Sequence, residues 1–423
     1  MLLDRTITPT FQTIESISFP ALQKVNLDNN LPLHVINIGQ QAVVRLDISF
    51  EAGTWYETTP NTAFFTSKML SEGTTYHTSA QISEHFDGLG AFLELNHGFE
   101  RSNLTVYGLT KHLEAILVMV REMIFEAKFP EKELENIKNT TSQGLKINLE
   151  KNAYIANIHV KEKLFGKNHP YGRSLKAAYI GKIDTETTKV FYKTRILNQP
   201  FLVFLSGKIN ETEISLVNKY LGQHTVNQEI IPKKEYKINS NLVDWHFEKP
   251  DAMQSSIRLG RLLFTRSHPD FFPFIVCNEV LGGYFGSRLM KNIREDKGFT
   301  YGISSGLFPM RESGYWNIST DVKKESKEAT FREIEKEIKR LQTELVPTDE
   351  LETAKNYMAG SFAGSLNTPF EIADRVRLIV HENLKPDYYN QYISKIRAIT
   401  SEQVLEMANK YMKFEDLMKI SVG

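Results

Sequence analysis

Alternating apolar and polar positions mark strands near the start of each half of the chain. The clearest are PLHVINI at 32–38, VVRLDISF at 43–50 and QSSIRLGRLLF at 254–264. Such alternation is typical of strands that bury one face. A more continuous apolar stretch follows each set and predicts a helix, over 63–71 in the first half and about 272–282 in the second. Each half therefore begins with strands and continues into a helix.

The same order of elements continues along both halves. Further strands are predicted at RSNLTVYGL, YGISSGLF and GYWNISTDV, and a closing strand in each half at FLVFLSG and LMKISVG. Long amphipathic helices are predicted at 112–127 and 327–345, because Phe331, Ile334 and Ile338 recur at helical spacing in the second. Strands followed by helices favour an α+β fold, in which each half is a mostly antiparallel sheet covered by helices.

The chain contains an internal repeat. FPEKELENIKN at 129–139 matches VPTDELETAKN at 346–356, at an offset of 217 residues. IDTETTKVFYK at 183–193 matches ITSEQVLEMANK at 399–410, at an offset of 216. Two distant stretches that repeat at nearly one offset are the signature of a duplicated unit. The sequence therefore predicts two homologous halves.

We place the first domain at residues 1–210, a linker at 211–244 and the second domain at 245–423. Much of the linker is polar and lacks a helical pattern, with three lysines in PKKEYK. Such a composition is typical of a segment that crosses the surface between two domains.

Length and charge limit the classes of function. A chain of 423 residues exceeds what one hydrophobic core usually supports. Lys plus Arg and Asp plus Glu both number 51, so no net charge favours binding to nucleic acid or to an anionic membrane. The first twenty residues lack the apolar stretch of a secretory signal, and no run is long enough to span a membrane. We expect a cytoplasmic protein, or a periplasmic one if a leader has been removed.

Cysteine and histidine usage offers no evident metal site. The single cysteine, Cys277, lies in the apolar run FPFIVCNEVLGG and is expected to be a packed thiol rather than a nucleophile. The eleven histidines include no pair three or four residues apart, the spacing that places two ligands on one helix face. We expect this chain to bind no zinc.

Three motifs carry a resemblance to a known family. They are TAFFTSKMLSEGT at 62–74, NHPYGRSL at 168–175 and LGGYFGSRLMKNIREDKGFTYGISS at 281–305. With the duplicated architecture, they resemble the pitrilysin or insulinase-type zinc metallopeptidases, the inverzincins. The most similar members are the short two-domain forms related to mitochondrial processing peptidase. The resemblance implies the clamshell-half architecture of those enzymes.

The resemblance also implies that the zinc site has been lost. Family members carry H-x-x-E-H on the first helix, and Phe64, Ser67 and Lys68 occupy those positions here. A phenyl ring has no lone pair, an ammonium group repels a dication, and a serine hydroxyl is no general base at neutral pH. The family's third ligand, a glutamate, falls near Leu145, which is no ligand either.

The second half keeps a different part of the family's machinery. Arg294 and Tyr301 in REDKGFTY match the R-x6-Y positions that, in such enzymes, reach the zinc site across a chamber. A guanidinium and a phenol can donate hydrogen bonds to an oxygen that gains negative charge during peptide hydrolysis. The alternative is structural: Arg294 pairs with Glu295 or Asp296 at the surface, and Tyr301 is half-buried at a strand start.

These expectations lead to a functional hypothesis. The chain is a zinc-less, substrate-binding or regulatory subunit of a heteromeric metalloendopeptidase, inactive alone and acting on short or unfolded peptides. Its partner is a homologous subunit that carries the zinc. Peptide could add as a strand to a free sheet edge, around residues 92–96 or 102–108.

Two other hypotheses stay open from the sequence. One is a non-proteolytic structural or assembly protein, like the core subunits of respiratory complexes that resemble this family. The other is a peptidase with an unrecognised metal site, assembled from distant residues.

Overall fold

The computed structural model describes residues 13–225, 227 and 231–423. A first sheet of six strands has the order β1-β2-β6-β3-β5-β4. Its strands are β1 (Gln23–Asn26), β2 (Pro32–Asn37), β3 (Val43–Phe50), β4 (Phe92–His97), β5 (Ser102–Leu109) and β6 (Phe201–Gly207). β2 and β6 are parallel, and every other neighbouring pair is antiparallel.

A second sheet of five strands has the order β7-β11-β8-β10-β9. Its strands are β7 (Trp245–Phe247), β8 (Gln254–Leu263), β9 (Thr300–Pro309), β10 (Gly314–Lys323) and β11 (Met418–Val422). One pair, β7 and β11, is parallel and the others are antiparallel. The two sheets repeat one topology, and the predicted α+β fold with mostly antiparallel sheets is confirmed.

The helices of the first half pack mainly on one face of the first sheet. They are α1 (Thr62–Met69), α2 (Ser79–Gly88), α3 (Leu113–Phe125), α4 (Glu131–Leu149), α5 (Asn152–Phe165), α6 (Ala177–Ile180), α7 (Thr185–Tyr192) and α8 (Glu211–Leu221). The start of the predicted linker falls in α8, whose Ile214, Val217 and Leu221 enter the first core. Composition alone missed this helix because its outer face is polar. In the described residues that follow α8, no helix or strand begins before β7.

The second half repeats this arrangement. Its helices are α9 (Phe271–Asn278), α10 (Lys327–Thr343), α11 (Thr348–Gly364), α12 (Pro369–His381), α13 (Tyr392–Arg397) and α14 (Ser401–Tyr411). Two π-helical turns, Glu279–Gly283 and Met290–Asp296, follow α9. The buried thiol of Cys277 lies 3.7 Å from the Met412 sulfur, and burial raises its pKa to about 12, as a packed thiol requires. None of the helices in the described ranges is both long and apolar enough to cross a membrane.

Each half lends one helix to the other half's sheet. α5 places Ala156, Val160 and Leu164 on one face and packs on β8 and β11. α12, the repeat equivalent of α5 at an offset of 217 residues, packs Ala373 and Val376 against β6. The two halves therefore share their cores through a reciprocal exchange of helices.

Gly260 of β8 allows α5 to pack close to the second sheet, because it has no side chain. A Cβ at this position would lie 3.0 Å from Val160 Cγ2 and 3.3 Å from Leu164 Cδ1. A side chain there would push the helix away from the sheet.

Ion pairs accompany the apolar contacts between the halves. Arg45 Nη2 lies 2.5 Å from Asp374 Oδ1, although Arg45 stands on β3 and Asp374 on α12. Arg377 Nη1 lies 2.8 Å from the buried carboxylate of Asp47. Buried charges that are paired in this way tolerate few alternative arrangements, because separating one pair leaves a charge without a partner.

The edge strands are β1 and β4 in the first sheet and β7 and β9 in the second. The expectation that residues 92–96 form an edge agrees with β4. The alternative at 102–108 is wrong, because β5 lies between β3 and β4 and is hydrogen-bonded on both sides. Sequence alone does not distinguish the two, since both strands alternate.

The exchange of helices predicts a large cost for truncation at its centre. Leu164→Ala removes a fully buried side chain between α5 and the second sheet, and should lower the free energy of unfolding by about 2–5 kcal/mol. Denaturant unfolding followed by far-UV circular dichroism measures this. Leu149→Ala, at an exposed leucine that ends α4, is the matched control and should change stability by less than about 0.5 kcal/mol. Equal effects of the two substitutions would contradict the packing described.

Candidate functional site

Helix α1 carries the degenerate zinc motif, and a buried carboxylate fixes its first turn. Glu57 Oε1 accepts a hydrogen bond of 2.9 Å from the Ala63 backbone N–H. Arg173, from the NHPYGRSL motif, donates to Glu57 Oε2 at 3.2 Å. A carboxylate near the start of a helix satisfies a free N–H and is favoured by the helix dipole. The NHPYGRSL motif therefore helps to position the TAFFTSKMLSEGT motif on α1.

Two of the motif positions face the edge strand β4. The Phe64 ring meets the His97 ring edge-on, with centroids 5.0 Å apart. Lys68, one turn further along α1, is exposed. Burial and the positive charge of Lys68 both lower the pKa of His97, because each disfavours the charged imidazolium. An aromatic contact and an ammonium group thus occupy the place of two imidazole ligands.

The other two motif positions are buried. Ser67 is turned into the protein, and its hydroxyl has no hydrogen-bond partner within the described residues. Leu145 of α4 belongs to the first core, together with residues of α1. These four side chains offer no set of donors that fits zinc. Across the described ranges, no group of three or more His, Cys, Asp or Glu side chains is placed to hold a metal ion.

Arg294 lies at the surface on the second π-helical turn. Its guanidinium carbon is 4.4 Å from the centroid of the exposed Phe285 ring, a cation–π distance. The ion pair with Glu295 is loose at 3.8 Å and partly exposed, so it contributes little. The expected surface pairing with Glu295 is present, and the Phe285 ring is a second support for the guanidinium. Phe285 was not predicted as a site residue, because a single aromatic residue in GGYFG carries no spacing signal that links it to Arg294.

Tyr301 lies on the edge strand β9 at a β-bulge. Thr300 pairs with Val322 and Ile303 with Thr320, so Tyr301 and Gly302 both oppose Asp321. Bulges redirect side chains and are frequent next to active sites. Tyr301 is 93% exposed, so the half-buried alternative is wrong.

Tyr301 lines an open recess of about 1360 Å³, shared with the junction of α4 and α5 and with β7. In the described part of the chain, no hydrogen bond or ion pair joins Tyr301 to Arg294, or either of them to α1. The structure thus brings Phe64 and Leu145 into one core, while Arg294 and Tyr301 stay on the surface of the other half.

Gly282 lies where the first π-helical turn contacts the edge strand β9. A Cβ on Gly282 would lie 2.6 Å from the Ser305 hydroxyl oxygen and 3.0 Å from the Ser305 backbone nitrogen. The first π-helical turn therefore packs directly on β9, and this close approach leaves no room for a side chain at position 282.

The chemistry of the four motif positions predicts how a zinc site could be restored. The quadruple variant Phe64→His, Ser67→Glu, Lys68→His and Leu145→Glu supplies the family's two imidazoles, base and carboxylate. It should bind about one zinc ion per chain, since three protein ligands suffice for such a site. The wild-type chain and the Lys68→His single variant should not retain stoichiometric zinc. Elemental analysis after dialysis measures the difference, and stoichiometric zinc in the wild type would contradict this account.

Comparison with known proteins assigns both halves to one family. A profile described as insulinase (peptidase family M16) matches residues 35–177, and one described as peptidase M16 inactive domain matches residues 182–358. The chain is 22% identical over 397 residues to a Bacillus subtilis protein called "Uncharacterized zinc protease YmxG", covering 92% of this chain and 93% of that one. It is also 22% identical over 370 residues to a Helicobacter pylori protein called "Non-peptidase homolog YmxG", covering 83% and 81%.

Solved structures show the same fold. A peptidase M16 inactive domain from Pseudomonas fluorescens matches with a TM-score of 0.83 and 24% identity, covering 95% of this chain and 98% of that one. A protease from Helicobacter pylori matches with a TM-score of 0.86 and 14% identity, covering 96% and 100%. These findings fit a peptidase-like protein of the inactive type. The chain belongs to the M16 family of insulinase or pitrilysin-type peptidases.

Proposed function

We propose that the chain is the zinc-less, substrate-binding subunit of a two-chain M16 metalloendopeptidase that acts on short or unfolded peptides. The observation that carries the proposal is an asymmetry between the halves. The four motif positions of the first half hold side chains that cannot bind zinc. Two of them, Phe64 and Leu145, pack into the first core. The family's arginine and tyrosine persist in the second half, where Arg294 is partly exposed and Tyr301 is exposed.

The exposed pair suits a role toward another molecule. A phenol directed out of a sheet edge by a bulge has no role in the core, and a guanidinium held over an exposed ring keeps most of its donors available. Both groups can donate hydrogen bonds to the carbonyl oxygen of a bound peptide as that oxygen gains negative charge. They contribute binding and charge stabilisation, and the partner subunit must supply the zinc and the attacking water.

A peptide could also bind along β4. This strand is an open edge with unpaired backbone groups, and it runs beside Phe64 and Lys68 of α1. Backbone pairing with an added strand depends little on side chains and therefore suits varied, unfolded peptides. The exposed ring of Phe92 at the start of β4 adds apolar surface for such a peptide.

The proposal predicts activity in a mixture and not in the separate chain. This chain alone should not hydrolyse a fluorogenic unfolded peptide. Mixed with a related M16 chain that retains H-x-x-E-H, it should raise the partner's rate. Arg294→Ala and Tyr301→Phe should each reduce that gain by about 100-fold, the typical cost of losing one donor to a developing oxyanion.

Two matched substitutions control for loss of charge and of a hydroxyl. Arg332→Ala removes an exposed arginine of α10, and Tyr76→Phe alters an exposed tyrosine of the first half. Both should leave the gain unchanged. Full activity of the Arg294→Ala and Tyr301→Phe mixtures would exclude the role of this pair. A stable complex that hydrolyses nothing would favour the structural alternative.

A further inference from the structure

The second half contains a cavity of about 430 Å³ that the proposed function does not use. It lies between the first π-helical turn, the edge strand β9 and helices α11 to α13. Aromatic side chains form much of its wall: Tyr357, Phe362, Tyr388, Tyr389 and Tyr392. Gly306 and Leu307 of β9 line one side, so the cavity adjoins an open sheet edge.

This cavity is the counterpart, in the second half, of the degenerate zinc site. Leu46 pairs with Leu205 in the first sheet, and Ile257 pairs with Ser421 at the equivalent place in the second, which gives an offset of 211 residues for this part of the repeat. Phe64 then corresponds to Ile275 and Lys68 to Glu279. At the offset of 217 that relates α4 to α11, Leu145 corresponds to Phe362.

All three corresponding residues line the cavity: Ile275, Glu279 and Phe362. In the first half the same place is closed by the Phe64 ring against His97. The fold therefore forms a recess at this position in each half. The second half leaves its recess open and keeps an acidic group in it.

Glu279 brings a carboxyl group into the recess without a partner. Within the described residues it makes no hydrogen bond or ion pair. Burial raises its pKa to about 7. A Cβ on Gly283 would lie 2.4 Å from Glu279 Oε2, so only a glycine leaves room for this placement of the carboxyl.

Arg375 brings an unpaired positive charge to the same cavity. Its guanidinium lies 5.9 Å from the centroid of Phe362 and 5.8 Å from that of Tyr389, and it donates to the Ser365 hydroxyl. In the described part of the chain no carboxylate lies within ion-pair distance of it. The other arginine of the lining, Arg266, is already paired with Glu382 at 3.0 Å.

Tyr388 adds an unsatisfied hydroxyl. Its side chain is only 8% exposed, and its hydroxyl has no hydrogen-bond partner among the described residues. Buried hydroxyl groups without partners are rare and are expected to be satisfied by water or by a ligand. Among the described residues, the Glu279 carboxyl and the Arg375 guanidinium thus have no ion-pair partner, and the Tyr388 hydroxyl has no hydrogen-bond partner.

We propose that this cavity binds a short peptide of about two or three residues with free termini, its ammonium group on Glu279 and its carboxylate on Arg375. A zwitterion neutralises both unpaired charges, while aromatic walls accept apolar side chains. The volume is within the range of small-molecule sites, roughly 300–1,000 Å³. This site requires neither zinc nor a partner subunit, so it goes beyond the proposed function.

Calorimetric titration with the dipeptide Leu-Phe tests the site on the full-length chain. At pH 8 the free dipeptide should bind, and the N-acetylated and C-amidated forms should each bind at least about tenfold more weakly because each loses one ion pair. Glu279→Gln and Arg375→Gln should cause similar losses. Glu328→Gln and Arg332→Gln, at exposed positions of α10, are the matched controls and should bind normally.

Two results would overturn the proposal. One is the absence of detectable binding by the free dipeptide at millimolar concentration. The other is equal affinity for the free and capped dipeptides, which would indicate an apolar pocket only. Neither result depends on peptidase activity, so the proposed function is tested separately.

The pH dependence of stability provides a second measurement. A carboxyl whose pKa is higher in the folded state stabilises the fold fully below its unfolded value, near 4.5, and this contribution is lost as pH rises through about 7. Without peptide, Glu279→Gln should therefore raise Tm relative to wild type by an amount that grows from pH 5 to pH 7 and then levels off. A Tm difference that does not vary with pH would contradict a buried, unpaired Glu279.

The groups that face Glu279 should not obscure this measurement. They are the tyrosines of the lining together with Tyr284, Arg266 and Arg375. Phenols and guanidinium groups do not titrate between pH 5 and pH 8. Glu382, beside Arg266, has a raised pKa through burial, but it is present in both proteins and cancels from the difference.

Discussion

The structure depends on the fact that both sheets have two faces to bury, while each half covers chiefly one of them with its own helices. β3 is buried at every position from Val44 to Phe50. A strand buried on both faces needs a second layer, and α5 and α12 supply it by crossing to the opposite sheet. Neither half can bury its sheet alone, so the two halves must fold against each other.

This exchange also holds the two recesses in place. α4, which carries Leu145, leads directly into α5, and α11, which carries Phe362, leads into α12. Each exchanged helix therefore fixes the wall of the recess in the half from which it comes. The two recesses lie in the same framework but are lined by different side chains. One has become apolar at Phe64 and Leu145, and such packing is more stabilising than a set of unliganded imidazoles and carboxylates would be.

Local signals in the sequence predicted most strands and the first helix, because each rests on a periodicity visible within about ten residues. The repeat was predictable from similar stretches about 217 residues apart. The exchange of α5 and α12 was not predictable in this way, since Leu164 of α5 and Ile420 of β11 share one core cluster although they are distant in the chain. Similarly, β4 and β5 both alternate, and only sheet order shows which one is the edge. The inability of Phe64 and Lys68 to bind zinc was predictable from residue type alone. The role proposed for Glu279 was not predictable from residue type, because it depends on the absence of a hydrogen-bond or ion-pair partner among the described residues.

Arg294 is held by fewer and weaker contacts than the buried ion pairs. This difference affects how Arg294 and Tyr301 could act on a peptide. Arg45 and Asp47 are held by several short contacts in the core, whereas Arg294 rests on one exposed ring and one loose ion pair. Donors to a developing charge are most effective when they are held in position before the reaction. The isolated chain does not hold this arginine tightly. Under the proposed function, contact with a second subunit and its peptide would have to fix the guanidinium and cover Phe285. An exposed phenylalanine beneath an arginine is a surface that a docking partner can bury, and buried aromatic and arginine side chains contribute strongly to binding.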